Sequence, residues 1–169
     1  KEPDFLRERQ EAVEKLGYSF IAVYSDEWTY RRPQIEKLLL SRCGINSGAI
    51  SARKCTVVEV SRADGNEFIT ANHIQTYNST VATYLGLQYM GKLVAVMAFT
   101  TNTSNRGQTA SVDLWELSRF CSSTRVVGGA SRLLSAFLDR VPEARKLVTF
   151  SDRRVFRGDM YTVLGFAVD

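Results

Sequence analysis

Apolar and polar positions along this chain change period several times, and each change marks an element. Residues 3 to 16 (PDFLRERQEAVEKL) place Phe5, Leu6, Val13 and Leu16 near helical spacing among strong helix formers, and Gly17 supplies a stop, so a helix is predicted there. YSFIAVYSDEW reads as a short apolar strand ending in two carboxylates and a tryptophan. RRPQIEKLLLSRCG returns to helical spacing: Pro33 suits a first turn, Ile35, Leu38 and Leu39 define an apolar face, and Gly44 closes it. Residues 45 to 54 (INSGAISARK) are polar and contain glycine, which predicts a linker.

Beyond the linker the pattern is denser. CTVVEVSR alternates as a strand, and ADGNEFITANHI predicts a short helix entered through Asp64. VATYLGLQYM and LVAVMAFTT predict a hairpin turning at Gly91 and Lys92, followed by the polar loop TNTSNRGQTAS. VDLWELSRFCS is a further strand, and GGASRLLSAFLDRV is an amphipathic helix with Leu133, Leu134, Phe137, Leu138 and Val141 inward. KLVTFSD, GDMYTVLG and FAVD then predict strand, helix and the opening of a last strand. Hairpins combined with a strand-helix-strand crossover argue for an α+β domain around one mostly antiparallel sheet with flanking helices, preceded by a small helix-strand-helix unit.

Composition narrows this picture. With 44% hydrophobic and 24% charged residues, 169 residues suffice for one well-packed domain or one plus part of a second. No stretch approaches the roughly 18 to 20 apolar residues of a membrane span, and no secretory leader is visible, which predicts a cytoplasmic protein with no membrane partner. Cys43, Cys55 and Cys121 are odd in number and widely spaced, as small buried hydrophobes would be, rather than a disulfide framework or zinc knuckle. A lone histidine, His73, excludes multi-histidine metal sites; with Asp152 it would make only an incomplete site, so no metal ligand is assigned and metal use stays open. The chain opens at Lys1 without a methionine and stops as a strand begins, so we read it as a piece of something longer.

Net charge is only +4, yet between residues 119 and 157 Arg119, Arg125, Arg132, Arg140, Arg145, Lys146, Arg153, Arg154 and Arg157 face only Asp139, Glu143 and Asp152. Such a bias suits either a polyanion or a plain solvated surface. Inside this stretch lies RVVGGASRLL, where a strand becomes a helix through Gly128, Gly129 and Ala130. The first N–H groups of a helix lack intrahelical acceptors and carry partial positive charge, so an anion fits there, with Arg125 and Arg132 adding charge-assisted contacts. Equally, glycine serves a tight turn that needs positive φ. The turn is neither GxxxxGK[ST] nor GxGxxG.

Arg125-Val-Val-Gly128-Gly129-Ala130 resembles the R/Q-x-x-G-x-G/A pattern with which GNAT acyltransferases hold the pyrophosphate of acetyl-CoA. The setting agrees: WELSRFC lies upstream, KLVTFSD downstream, and Tyr161 to Phe166 is similar to the Y-x-x-x-GF ending, so the similarity covers about residues 55 to 169. The runs ELSRFC, GGASRLL, TFSDRR and G-x-x-Y-x-x-LGF resemble the phage Mom-like branch, whose members modify adenine in DNA and whose relatives adjoin Vsr-like or PD-(D/E)XK homing endonucleases. The first 45 residues are similar to the tail of such a nuclease module. The resemblance therefore implies residues 1–46 as a nuclease-like remnant, 47–54 as a linker and 55–169 as a GNAT-like domain, with the nuclease active site absent and no DNA cleavage by this piece.

It also implies a site. Arg119, Arg125, Val127, Gly128, Gly129, Ala130 and Ser131 would hold acetyl-CoA, while Arg132, Arg153, Arg154 and Arg157 would meet nucleic acid. Acyl transfer from a thioester needs proton handling on the acceptor and on the leaving thiolate. Glu116 and Ser118, two apart on one strand, share a face, and Glu116 is a candidate general base as well as an ordinary strand carboxylate. Ser151 and Asp152 close the next strand; Asp152 is a candidate proton acceptor or a partner for Arg153 or Arg154. Tyr161 stands where many GNAT enzymes place the proton donor to the thiolate, and His73 matches a histidine of the Mom-like segment. Tyr77, Tyr84, Tyr89 and Trp115 are candidates to stack on an extruded base, or core aromatics.

Three functions follow as expectations: a Mom-like, acyl-CoA-dependent transferase acting on nucleic acid in a bacterial or phage-infected cell; a non-catalytic DNA-binding domain of a homing endonuclease; and an N-acetyltransferase for a small amine or protein. The second implies affinity that falls steeply with salt and ignores CoA.

Overall fold

The structure, a computed structural model, describes residues 5–45, 48–101 and 113–167. They fall into two compact units, Lys1–Arg32 with Phe150–Asp169, and Pro33–Thr149.

The Pro33–Thr149 unit is built on a five-stranded sheet. β2 (Thr56–Glu59), β3 (Thr83–Tyr89), β4 (Lys92–Thr101) and β5 (Leu114–Ser122) pair antiparallel in that order, and β7 (Lys146–Thr149) closes the far edge parallel to β5. The expectation of a mostly antiparallel sheet with flanking helices holds. β4 reads as an unbroken apolar run because both of its faces are covered, and Val94 to Thr100 are all buried. On one face α4 (Arg62–Asn72) sets Ile69 into a cluster with Val81, Tyr84, Val96, Ala98 and Cys121. On the other, α5 (Gly129–Arg140) buries Leu133, Leu134 and Phe137, and the Phe137 ring stacks on Phe99 at 3.6 Å with Trp115 edge-on at 5.2 Å. Each such fully buried ring contributes about 1.5–3 kcal/mol over an exposed one. Leu138, expected inward, is 43% exposed, because the buried stripe of α5 passes through Leu134 and Phe137 instead.

Local chemistry explains the joints. α4 is capped by Ser61, whose hydroxyl accepts from the Asp64 N–H at 3.1 Å and donates to the Asp64 carboxylate at 2.7 Å; Asp64 sits within the first turn rather than at the entry. The β3–β4 hairpin turns on Met90 and Gly91 rather than on Gly91 and Lys92 as expected, since Lys92 already pairs with Tyr89; both turn residues are left-handed (φ 50° and 76°), the combination that matches strand twist in a two-residue connection.

Three local expectations change. Residues 49–54, expected as linker, form β1 (Ala49–Ser51) and a 3-10 turn (Ala52–Lys54); β1 pairs in parallel with β6 (Arg125–Val127), a partner too distant in sequence for composition to announce. The YSFIAVYSDEW strand does not form. Residues 18–24 have no regular structure and Ser25–Tyr30 is a short helix, α2, begun where the Tyr24 N–H donates to Glu27 Oε2 at 3.0 Å. An apolar run without a ladder partner gains nothing from extension. The last strand does not start by Ala167, and Val168 and Asp169 lie outside the described residues, as does the expected polar loop beyond Thr101.

α2 and α1 (Phe5–Lys15) belong with α6 (Asp159–Val163) to the other unit, whose segments are tied by the Ala22 N–H donating to the Arg154 carbonyl at 2.9 Å and by ion pairs described below. α3 (Arg32–Arg42) lies in the Pro33–Thr149 unit from its second residue on.

Candidate functional site

β5 is held on both sides for only part of its length. Its pairing with β7 runs from Leu114–Lys146 to Leu117–Thr149, where the Thr149 hydroxyl donates to the Leu117 carbonyl at 2.9 Å. The strand then continues to Ser122 with β4 as its only strand neighbour among the described residues; along that stretch the Ser118 carbonyl accepts from Arg119 and the Ser122 carbonyl from Lys37. At the point of divergence the β4–β5 register slips: Ala98 faces Arg119 and Phe99 faces Leu117, leaving Ser118 as a bulge. The buried Ser118 hydroxyl donates to the Ala98 carbonyl at 3.2 Å.

After β5 the chain forms β6 and enters α5 through Gly128, which is left-handed (φ 76°) as its cap. Gly128 lines a groove of about 670 Å³ with Ser51, Ala52, Arg53, Val127, Ser131 and Arg132, two arginines and no carboxylate. A Cβ on Gly128 would lie 3.8 Å from the Ala52 Cβ, toward that wall, and the positive φ strains any other residue. Gly129 has a different reason: its Cβ would meet the Val126 side chain at 3.2 Å, a tight fit of α5 onto β6 to which Val126 would have to yield by a few tenths of an ångström. The Arg132 N–H closes the first turn onto the Gly128 carbonyl at 3.1 Å, and the N–H groups of Gly129, Ala130 and Ser131 precede any intrahelical acceptor. The Arg132 side chain donates to the Ala52 carbonyl at 2.6 Å and so fixes the groove wall. Arg125, Arg53 and Lys54 are exposed.

Of the remaining candidates on this unit, Glu116 and Arg119 belong to the α4 side of the sheet, His73 ends α4, and Trp115 lies on the opposite face. Glu116 is half-buried and is the register partner of Thr100, which is in step with Val96 and Ala98 on the α4 side. Arg119, partner of Ala98, points to that side as well; it donates to the Thr76 carbonyl at 3.1 Å and to the Ser118 carbonyl at 2.6 Å, and so ties down the segment that follows His73. His73 caps the end of α4, and its Nδ1 accepts from the Gln75 N–H at 3.0 Å, with the Gln75 carbonyl 2.9 Å from the same nitrogen. Of the expected stacking aromatics, Tyr84 is buried with its hydroxyl on Asn66 Oδ1, its phenol pushed up by burial, and Trp115 is packed against Phe137. Tyr77 is exposed and Tyr89 half-buried.

Ser151, Asp152 and Tyr161 lie in the other unit. Ser151 is half-buried, and its hydroxyl is buried without a partner. Asp152 Oδ1 accepts from the Arg154 N–H and Nε, both at 3.1 Å, and Oδ2 from Nη2 at 2.6 Å. Arg154 also forks onto Glu27 at 2.9 and 3.0 Å and lies over the Tyr24 ring at 4.3 Å. Its bond to Glu27, joined by Asp152 and outweighing the opposing effect of burial, raises its proton affinity, and the same bond holds the Glu27 carboxyl below the ordinary carboxylate value. Arg157 donates to Glu14 at 3.1 Å and to the Tyr18 carbonyl at 3.1 Å. Of the arginines expected to meet nucleic acid, Arg132, Arg154 and Arg157 are thus engaged within the chain, while Arg153 is exposed. Tyr161 is half-buried, edge-on to Phe166 at 5.8 Å.

Sequence reasoning passed over Thr100, whose buried hydroxyl has no partner, and Lys37, whose ammonium donates to Asn72 Oδ1 at 2.9 Å and the Ser122 carbonyl at 3.0 Å. Burial depresses the Lys37 ammonium and pushes the nearby Cys121 thiol up to about 12. Thr100 was legible only as one more polar residue ending an apolar run.

Among the described residues no helix is long and apolar enough to cross a membrane. No protein-family model matches the sequence, and no curated protein matches it. Among solved structures the chain is similar to an integron cassette protein, VCH_CASS6, from the mobile metagenome of V. cholerae, at 10% identity over 69% of this chain and 87% of that one, TM-score 0.49. It is also similar to a ribosomal-protein-alanine N-acetyltransferase from Brucella melitensis biovar Abortus 2308, at 18% identity over 68% of this chain and 93% of that one, TM-score 0.48.

Proposed function

We propose that this chain is an acyl-CoA-dependent transferase whose donor lies along the open edge of β5 with its phosphates at the start of α5. One observation carries the reading: the edge left bare past Leu117 leads into a glycine-capped helix start beside a groove with Arg53 and Arg132 and no carboxylate. These residues suit a diphosphate. Gly128 keeps the cradle free of a side chain, the first-turn N–H groups are donors without intrahelical acceptors, and the helix end favours negative charge by about 0.3–1 kcal/mol. Bound acyl-CoA supplies a thioester carbonyl open to attack.

The chain's own residues divide the rest. Peptide N–H groups on the bare β5 edge are positioned to polarise a carbonyl. Glu116 takes the proton of the attacking acceptor as the new bond to the acyl carbon forms and the C–S bond breaks. The resemblance assigns Tyr161 to return a proton to the thiolate and matches His73 to a Mom-like histidine; the place of Ser151 and Asp152 past a strand end makes Asp152 a candidate proton acceptor or, as its bonds to Arg154 favour, a partner for that arginine. A nucleic-acid acceptor of the Mom-like kind is the finer part of the proposal. The exposed Arg53, Lys54, Arg125 and Arg153 support it, and the engagement of Arg132, Arg154 and Arg157 leaves fewer cations for it.

Titration calorimetry with acetyl-CoA tests the core of this. Wild type should bind in the micromolar range and Gly128→Val at least tenfold more weakly; no heat at millimolar acetyl-CoA refutes it. Duplex DNA binding at two salt concentrations, with and without acetyl-CoA, tests the acceptor: affinity that drops steeply with salt and ignores acetyl-CoA favours the DNA-binding domain instead.

A further inference from the structure

Thr100 is only 2% exposed, and its hydroxyl is a buried polar group with no partner among the described residues. Folded proteins rarely leave such a group unsatisfied, because burial without a hydrogen bond is destabilising and valine would fill the same space. Its register partner across the β4–β5 pair is Glu116. Two independent packings fix their common face: Val96 and Ala98, in step with Thr100, join the α4 cluster, whereas Phe99 and Trp115, out of step, pack on Phe137. Cross-strand partners have Cβ atoms about 4.5–5.5 Å apart, within reach of a threonine hydroxyl and a glutamate carboxylate together. Both stand one step before the Ser118 bulge, where β5 leaves β7.

We propose that Thr100 is a positioning residue for Glu116: its hydroxyl is the donor that receives the carboxylate when Glu116 turns inward to accept the acceptor's proton. This rests on the acyl-transfer reading above. Held by an internal donor, the carboxylate keeps one oxygen free for the proton, and the hydroxyl finds its partner only in that arrangement. The unsatisfied hydroxyl at rest is a stability cost retained for activity.

The test uses the full chain as Thr100→Val, Thr100→Ser, Glu116→Gln and the Thr100→Val/Glu116→Gln double variant. Thermal unfolding, calorimetry with acetyl-CoA, and thiol release from acetyl-CoA, alone and with duplex DNA, are measured for each. Thr100→Val should melt higher by about 2–4 °C, as removal of an unsatisfied buried group predicts. Its kcat for thiol release should fall about tenfold with KM for acetyl-CoA unchanged, and Thr100→Ser should restore kcat. The double variant should be no slower than Glu116→Gln. A Thr100→Val protein with wild-type kcat, or losses that multiply in the double variant, overturns the proposal. If wild type neither binds acetyl-CoA nor releases thiol, the acyl-transfer reading fails by itself. The stability cycle reads the pair separately: a hydroxyl without a partner at rest predicts additive midpoints, and a coupling that stabilises the pair in the resting protein overturns the proposal.

Discussion

Replacing Arg154 by alanine is expected to loosen the unit made of Lys1–Arg32 and Phe150–Asp169 from within. Its guanidinium forks onto Glu27 and Asp152 at 2.6 to 3.1 Å, and the three side chains keep only 16–21% of their surface in water. Truncating one partner of a buried pair costs about 3–5 kcal/mol, which the remaining exposure reduces to about 2–4 kcal/mol here. The variant also leaves two carboxylates facing each other and strips the cation from the Tyr24 ring. The unit has little else to resist with, since Val155 is its one buried hydrophobic side chain among the described residues. Amide hydrogen exchange reads the loss directly. At a factor of ten for each 1.4 kcal/mol, the amides of Ala22, Trp28, Val155 and Phe156 should exchange about 30- to 700-fold faster. The Val60 amide, bonded to the Tyr84 carbonyl in the sheet unit, should not change. Arg154→Lys keeps the charge without the fork and should recover only part of the protection. Unchanged exchange at those four amides in Arg154→Ala would refute the argument.

Acid should act through the same cluster. The Glu27 carboxyl is held below its ordinary 4.5, first by Arg154, so its contribution is complete above pH 4.5 and is lost as pH falls through the lower folded value; urea unfolding from pH 6 to 2 should show this in wild type and not in Arg154→Ala. Gly65→Ala would place a Cβ 2.6 Å from the Tyr84 ring, which its hydroxyl bond to Asn66 holds in place, and should lower stability by about 1–3 kcal/mol in a denaturant titration. Met90→Gly removes a side chain from a left-handed turn position at φ 50° and should raise stability by about 1 kcal/mol in the same assay. Iodoacetamide at pH 8 should label exposed Cys43 well before Cys121, which is buried and pushed up to about 12; mass spectrometry of timed samples checks the order.

Where neighbours in sequence are neighbours in space, the fold was legible. The alternation of CTVVEVSR, the β3–β4 hairpin and the spacing of Leu133, Leu134 and Phe137 each correspond to an element of the structure. Misreadings arose where structure depends on distant partners. Ala49–Ser51 looks like linker until Arg125–Val127 lies beside it, and YSFIAVYSDEW looks like a strand although no ladder receives it. For the candidate site, the helix start at Gly128 was visible in the glycines, but not that Gly129 answers to Val126, which depends on how α5 seats on β6. The bulge at Ser118, itself a named candidate, and the role of Thr100 were hidden for a related reason: a one-residue slip between strands, and a hydroxyl lacking a partner, have no signature along the chain.

The small β1–β6 ladder has a bearing on any attempt to divide this molecule. A fragment beginning at Cys55, the start suggested by polarity alone, would discard Ser51, Ala52 and Arg53 and with them one bank of the groove, together with the carbonyl that anchors Arg132. Loss of ligand affinity in such a truncation would report on a missing wall rather than on a missing domain, so dissection should start no later than Gly48.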